Sequence, residues 1–499
     1  MSYVAAIAAA PAGQDQSRPS FFRAPYTFLC GMVSSYFILA CCSLYWLTAG
    51  AGWLVGKVLP RSRIERAPLG WLVVSTAVMA GATQTIPGFF PNYTNSIEIV
   101  CELVLWLSIG LFARSYLIYA EYPDTFEGLK QSIASRPLDR WISGLLHHPI
   151  DAIFTRIWVG NSIAMIPLTV LLILPSTINY FVLAAYGVAL LLIQFPHDLA
   201  DHVNIHTRIF QPKLGASGRV KTLLKALQFY FENVLALLLA RAPHYYRVQH
   251  VYVHHVEDNG LLDSQTTAPC DRTSFFDFSR HAFKQGVDLV TGISIYRYLR
   301  TKGKMRQVRD LARGLAIWWG LIIVLGLFNP VAAGIVFISR FLGGNMQSLV
   351  AFWQHGLVDP DDIQDSHGNC TDYVGHDHGN LGNDYHAEHH LKPGRHWASY
   401  YEEYARVAKS EGGHPAVVMH KEVFSPLAFV AALWRKDYGT IAKYAHLGGV
   451  AEGDTQTLTE IVEQRTRPIA GTERSGLSAR VDAVTGRMMA MALPTSFRV

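Results

Sequence analysis

The chain reads as an all-α integral membrane protein, with six or seven transmembrane helices and a cytoplasmic, histidine-rich helical cap. Three observations predict this. Half of its 499 residues are hydrophobic and only 16% are charged, against roughly a quarter in soluble domains. Apolar runs long enough for a bilayer, which takes about 20 residues at helical rise, recur along the sequence. Its 21 histidines gather near the ends of those runs.

The runs lie near 27–49, 69–90, 97–119, 157–175, 178–196, 311–328 and 329–351. The first continues through WLTAGAGWLVGKVL and reads as one tilted helix or a tight helical pair, which leaves the count at six or seven. Pro175 and the Asn329-Pro330 dipeptide are natural breaks between neighbouring helices. The segment 223–241 carries Lys225 and Glu232 and is expected to be an interfacial amphipathic helix rather than a span.

Topology follows from these runs. The segment 178–196 delivers the chain to one membrane face at His197, and the pair 311–351 leaves that face and returns just before His355. Residues 197–255 and 355–390 therefore share one side. Arg297, Arg300, Lys302, Lys304, Arg306, Arg309 and Arg313 flank a span on that side, and the positive-inside tendency makes it cytoplasmic. The loop Arg61-Ser62-Arg63-Ile64-Glu65-Arg66 is assigned to the cytoplasm by the same rule.

A net charge of +5, spread among loops, argues against a nucleic-acid partner and suits loops facing an anionic leaflet. The six cysteines (Cys30, Cys41, Cys42, Cys101, Cys270, Cys370) show neither a disulfide framework nor a thiolate metal motif. The Ala-rich N-terminus lacks the preceding basic residue of a secretory signal and reads as a flexible leader over 1–26.

Four histidine groups are brought to one face by this topology: HDLADH (His197, His202), HVYVHH (His250, His254, His255), His355 in FWQHGLVDP, and HAEHH (His386, His389, His390). Nine imidazoles exceed what one ion takes, since zinc sites close with three or four protein ligands, so two metal ions are expected. On a helix His250 and His254 share a face, as do His386 and His390, so each cluster could grip one ion. His197 and His202 diverge on an ideal helix, whereas His202 and His206 are one turn apart, so His206 could replace His197 or extend the set. Imidazole suits iron, zinc, copper and nickel alike, so ligand type does not choose the metal. His147, His148, His244, His281, His414, His420 and His446 are taken as surface or interface residues. His376 and His378 fall in a Gly-Asn-Asp-rich stretch read as a solvated turn. Asp359-Pro360-Asp361-Asp362 and the loop running on to Asn383 could form a cap over the site, but their carboxylates are read as solvated loop residues.

The HxxxxH, HxxxHH and HxxHH boxes, with two spans before the last, resemble the membrane-bound fatty-acid desaturase superfamily, which includes the alkane monooxygenases. The resemblance covers about residues 157–410, and the isolated QHGL is similar to the alkane monooxygenase branch. It implies a non-haem diiron centre held by His197, His202, His250, His254, His255, His355, His386, His389 and His390. It also implies a lipid or long-chain hydrocarbon substrate entering from the membrane, dioxygen as oxidant, and a separate electron carrier. Fatty acyl desaturation is the leading reading, with hydroxylation or oxidative decarboxylation as alternatives. The domains expected are N-terminal transmembrane helices and a cytoplasmic loop over 27–156, a catalytic membrane domain over 157–410, and a partly disordered C-terminal extension over 411–499.

No CxxC pair or GxGxxG motif supplies internal electron transfer, so a ferredoxin, rubredoxin or cytochrome b5 partner is expected. Two rivals come from other classes. A membrane zinc hydrolase would carry an HExxH-type motif, which is absent. A metal transporter would place its ligands at midplane depth rather than at helix ends.

Overall fold

The structure is a computed structural model that describes residues 26–36, 38, 123–173, 180–363, 365–420, 423, 425–451, 453–469 and 487. The expected spans 69–90 and 97–119, most of 27–49, the loop at 61–66, nearly all of the leader and the chain after 469 apart from residue 487 lie outside the described residues.

The architecture is mostly helical. Helices α1 (Phe126–Ser135) and α2 (Pro137–Ser143) precede α3 (Phe154–Ile173) and α4 (Tyr180–His206). Helix α5 (Gly218–Phe229) and the short α6 (Tyr245–Gln249) lead to α7 (Phe275–Thr291) and α8 (Ile293–Thr301). The long helices α9 (Met305–Phe328) and α10 (Pro330–Gln354) follow.

The last pair has the length and apolar character to cross a membrane, with 24 and 25 residues. Ile317, Ile323, Val324, Leu327 and Phe328 of α9 stay exposed among the described residues, the apolar surface that lipid rather than water would cover. The turn between the two is set locally. Pro330 takes the first helical position, where its missing N–H costs nothing, and the Asn329 side chain accepts from the Ala332 amide. Helices of 20 and 27 residues, α3 and α4, stand where spans 157–175 and 178–196 were expected. Helix α4 runs through Pro196 and ends only at His206, so the first histidine box is helical throughout.

The segment 223–241 departs from a single amphipathic helix. Helix α5, capped by the Ser217 side chain on the Val220 amide, gives way to a π turn over Tyr230–Leu235. Glu232 in that turn is held by the Asn204 and Gln228 amides at 3.2 and 2.8 Å. The polar residue that made a span implausible is thus bonded inward onto α4.

Helix α7 lies along α10 at backbone contact. A Cβ on Gly286 would collide with the Phe341 carbonyl, and one on Gly344 with the Gly286 amide. These glycines permit an approach that a larger residue would forbid.

Beyond α10 a small sheet interrupts the helical pattern. Strand β1 (Thr371–Val374) is followed by α11 (His386–Leu391), α12 (Tyr400–Ala408), β2 (Val417–His420), α13 (Pro426–Arg435), α14 (Tyr438–Lys443), β3 (Ala445–His446) and α15 (Thr455–Arg465). Strands β1 and β2 pair in parallel, with Thr371 opposite Val417, and β3 joins β2 antiparallel. Pairing therefore crosses the expected boundary at 410. The extension over 411–499 was expected to be partly disordered, and α15 forms within it. Asp454 caps it by accepting from the Thr457 amide, and Leu458 and Val462, one turn apart, bury the same face. Three apolar residues, Leu458, Ile461 and Val462, in an otherwise polar stretch were too few to show as periodicity.

Candidate metal centre

Nine histidines converge in two groups whose ligand atoms lie within 4.8 Å of one another: His202, His206, His250, His255 and His389 in one, and His254, His355, His386 and His390 in the other. Eight are residues singled out by sequence, and the ninth is His206 rather than His197. The reason is helical phase. Each residue turns about 100°, so five steps from His197 to His202 leave the two about 140° apart, while four from His202 to His206 leave about 40°. His197 turns instead against the Phe231 ring, with centroids 5.0 Å apart, and its ring nitrogens have no hydrogen-bond partner among the described residues.

The second box is shaped by a π turn over His250–His254, in which the His255 amide bonds back to the His250 carbonyl. That i to i+5 closure widens the turn. It brings His250 and His255 together, with Nε2 atoms 3.0 Å apart, and turns His254 toward the other group. The expectation that His250 and His254 would grip one ion is corrected here, because sequence periodicity assumes an α-helical phase. Helix α11 likewise straddles both groups: His386 and His390 share a face in one, and His389 joins the other. His355 follows the end of α10, and its Nε2 meets that of His386 at 2.9 Å.

The opposite ring nitrogens are held from behind. Asp263 lies 2.6 Å from His254 Nδ1, and the Asn369 carbonyl accepts from His355 Nδ1 at 2.9 Å. Such partners fix ring orientation and tautomer. Burial alone would lower the His254 pKa, but the charge and hydrogen bond of Asp263, aided by Asp258, outweigh it and raise the imidazole above its ordinary value.

Two facing rings can be assigned by their partners. The Asn383 amide nitrogen donates to the Asn380 carbonyl at 3.0 Å, so its oxygen is the atom that accepts from His202 Nδ1. Tyr400 gives its proton to the Arg395 carbonyl at 3.2 Å, which leaves its oxygen to accept from His389 Nδ1 at 3.1 Å. Both rings then carry their proton on Nδ1, and their Nε2 lone pairs face each other at 2.9 Å. Lone pairs at that distance repel unless a cation lies between them. A proton does not serve at neutral pH: burial first, and then the charges of His202, His206, His255 and His390, keep the His389 pKa well below the ordinary imidazole value. Metal bonds of about 2.1 Å at right angles would set two ligand nitrogens about 3.0 Å apart. The donor set and its spacing fit metal ions.

A cavity of about 80 Å³ touches both groups at His202, His250, His254 and His355. It shares Asp198, Arg241, Tyr246, Met346 and Gln347 with a larger one of about 190 Å³ that extends to Gln194, Leu289 and Arg340. The wall beside the histidines is mixed, with an Asp198–Arg241 ion pair and Gln347 next to Val350 and Ala351.

Three histidines assigned to the surface or a solvated turn are buried. His281 bonds Ser348 Oγ at 2.6 Å and the Gln265 carbonyl at 3.0 Å. His378 reaches the Pro123 carbonyl at 3.0 Å. His414 stands beside Glu388 at 3.1 Å. Their partners are distant in sequence, so no local pattern announces them. His147, His244, His420 and His446 are exposed, as expected.

The fold and the site together define a class: a helical protein with membrane-length apolar helices and a buried histidine cage suited to metal. Residues 215–421 match the family model for fatty acid desaturase, and this domain is consistent with the fatty acid desaturase superfamily. No curated protein and no solved structure matches the chain. The matched segment begins after His202 and His206, which the fold brings to the cage independently of that match.

Proposed function

We propose that the nine-histidine cage holds two iron ions and that the protein oxidises an unactivated C–H bond of a long lipid chain with dioxygen. Fatty acyl desaturation is the leading outcome. The observation that carries the reading is the pair of opposed Nε2 lone pairs on His202 and His389, inside a cage whose donors are all imidazole. The desaturase match over 215–421 supports iron and an acyl chain over other metals and substrates. Bound iron would supply reductive activation of dioxygen, the chemistry needed to take hydrogen from a methylene.

The protein's own residues have three tasks in this reading. His202, His206, His250, His255 and His389 hold one ion, and His254, His355, His386 and His390 the other. Asp263, Asn369, Asn383 and Tyr400 orient the rings and keep the Nε2 lone pairs directed inward. Val350, Ala351 and Trp353 line the cavity beside the cage, where a chain segment would lie shielded from water. Each methylene placed there contributes about 0.8 kcal/mol on burial. Hydroxylation is the second reading, supported by the polar wall: Arg241, Tyr246 and Gln347 could hydrogen-bond an oxygenated product.

Six or seven spans, the domain limits 27–156, 157–410 and 411–499, and a cytoplasmic active site complete the proposal. The basic run Arg297–Arg313 at the start of α9 supports that orientation. The chain has no CxxC pair and no dinucleotide fingerprint, so electrons come from a separate ferredoxin, rubredoxin or cytochrome b5.

Expression in a host that supplies such a carrier, followed by mass spectrometry of total lipids, tests the reading. A new double bond that disappears in His255→Ala is the expected result. A gain of one oxygen would move the assignment to hydroxylation. An unchanged lipid and hydrocarbon profile, with iron bound and reducible, would exclude a simple aliphatic substrate.

A further inference from the structure

A second constellation lies behind helix α11, away from the cage. Glu388 sits on α11 itself, His367 on the short helix Ser366–Asn369, Asp372 on β1, and His414 three residues before β2. Asp372, Glu388 and His414 are at most 1% exposed. Among the described residues no lysine or arginine makes an ion pair with either carboxylate. Their ion-pair partners are imidazoles: His414 for both, and His367 for Glu388.

The contacts are not those of a closed hydrogen-bond network. His414 Nε2 lies 3.1 Å from Glu388 Oε1 and 3.6 Å from Asp372 Oδ2, and His367 Nε2 lies 3.8 Å from Glu388 Oε1. Charge-assisted hydrogen bonds run at about 2.7–2.9 Å. Ligand atoms on a tetrahedral ion with bonds of about 2.0–2.1 Å stand about 3.4 Å apart, in the middle of the observed range. Glu388 Oε2, Asp372 Oδ2 and His367 Nε2 are buried without a hydrogen-bond partner. Buried polar atoms are almost always satisfied, so three orphans in one cluster call for a missing partner.

We propose that His367, Glu388 and His414, with the Asp372 carboxylate beside them, form a further metal site for one divalent cation of the zinc class, distinct from the nine-histidine cage. Two imidazoles and the Glu388 carboxylate hold the ion, the Asp372 carboxylate beside His414 balances its charge, and burial is the pattern of a structural ion. The ion ties α11 to β1 and to the strand entry at His414. It thereby braces the helix that carries His386, His389 and His390. The site draws on none of the cage ligands, so it stands or falls separately from the proposed iron centre.

The test uses the full-length protein in detergent, stripped by chelation and reloaded with Zn²⁺ alone, with metal counted per chain. His367→Gln/His414→Gln is expected to lose one ion relative to wild type and to keep the rest. His254→Ala/His389→Ala is expected to keep one ion, with mixed nitrogen and oxygen coordination by X-ray absorption, and to gain thermal stability when Zn²⁺ is added. That gain is read in a protein whose second site is unaltered, so misfolding of the His367/His414 variant cannot mimic it. An unchanged count in the first variant would overturn the site. So would the absence of both bound ion and stabilisation in the second. A wild type that binds a single ion, lost with His367 and His414, would support this site while refuting the cage.

Discussion

Replacing His206 by alanine should strip metal from the protein and abolish lipid oxidation, whereas His197→Ala should keep both. The two residues lie on one helix, four residues after and five before His202. Only His206 falls within ligand distance of His250, His255 and His389. Loss of one of five imidazoles leaves the remaining ring nitrogens aimed at an incompletely held ion. Metal retention and turnover should then fall together, with activity reduced to the detection limit. His197→Ala removes a ring that packs on Phe231 and no cage ligand. Metal content in the two variants is the check, and loss of iron from His197→Ala with retention in His206→Ala would reverse the assignment.

Arg272→Met should cost roughly 3–5 kcal/mol of stability, an effect expected when a buried charged hub is removed from carbonyls that depend on it. Arg272 is fully buried. Its guanidinium donates to the carbonyls of Thr267, Ala268 and Cys270 on one side, and of Arg465 and Arg467 on the other. It therefore fastens the end of α15 to the loop before α7. Methionine fills similar volume but donates nothing, and each carbonyl left dry costs about 1–3 kcal/mol before relaxation. Thermal unfolding in detergent measures the loss. Limited proteolysis should cut first near 451–469, and a variant as stable and as resistant as wild type would contradict this role.

The cage was legible in the sequence wherever ligands recur at helical spacing. HxxxHH and HxxHH stand out because several imidazoles on one short element have no ordinary packing role, and the apolar runs show which faces meet. Phase was less legible. An α-helical count pairs His250 with His254, and the π closure that pairs His250 with His255 depends on the tertiary setting of the turn. The choice between His197 and His206 was visible as an ambiguity and needed the continuous helix through Pro196 to resolve. Partners such as Asn383 for His202 and Tyr400 for His389 join residues from separate elements, which no local pattern encodes. The same holds for Asp372 and His414, brought together by parallel strand pairing across more than forty residues of sequence. The polar lining of the cavity went unseen for a related reason, since Asp198, Arg241 and Gln347 come from three distant segments.

The most direct test of the account is the iron content and magnetic state of the purified protein, read by elemental analysis with Mössbauer spectroscopy. Two interacting irons per chain, absent from His254→Ala/His389→Ala, are the expected result. Full lipid-oxidising activity in protein that carries a single isolated iron, or none, would contradict it.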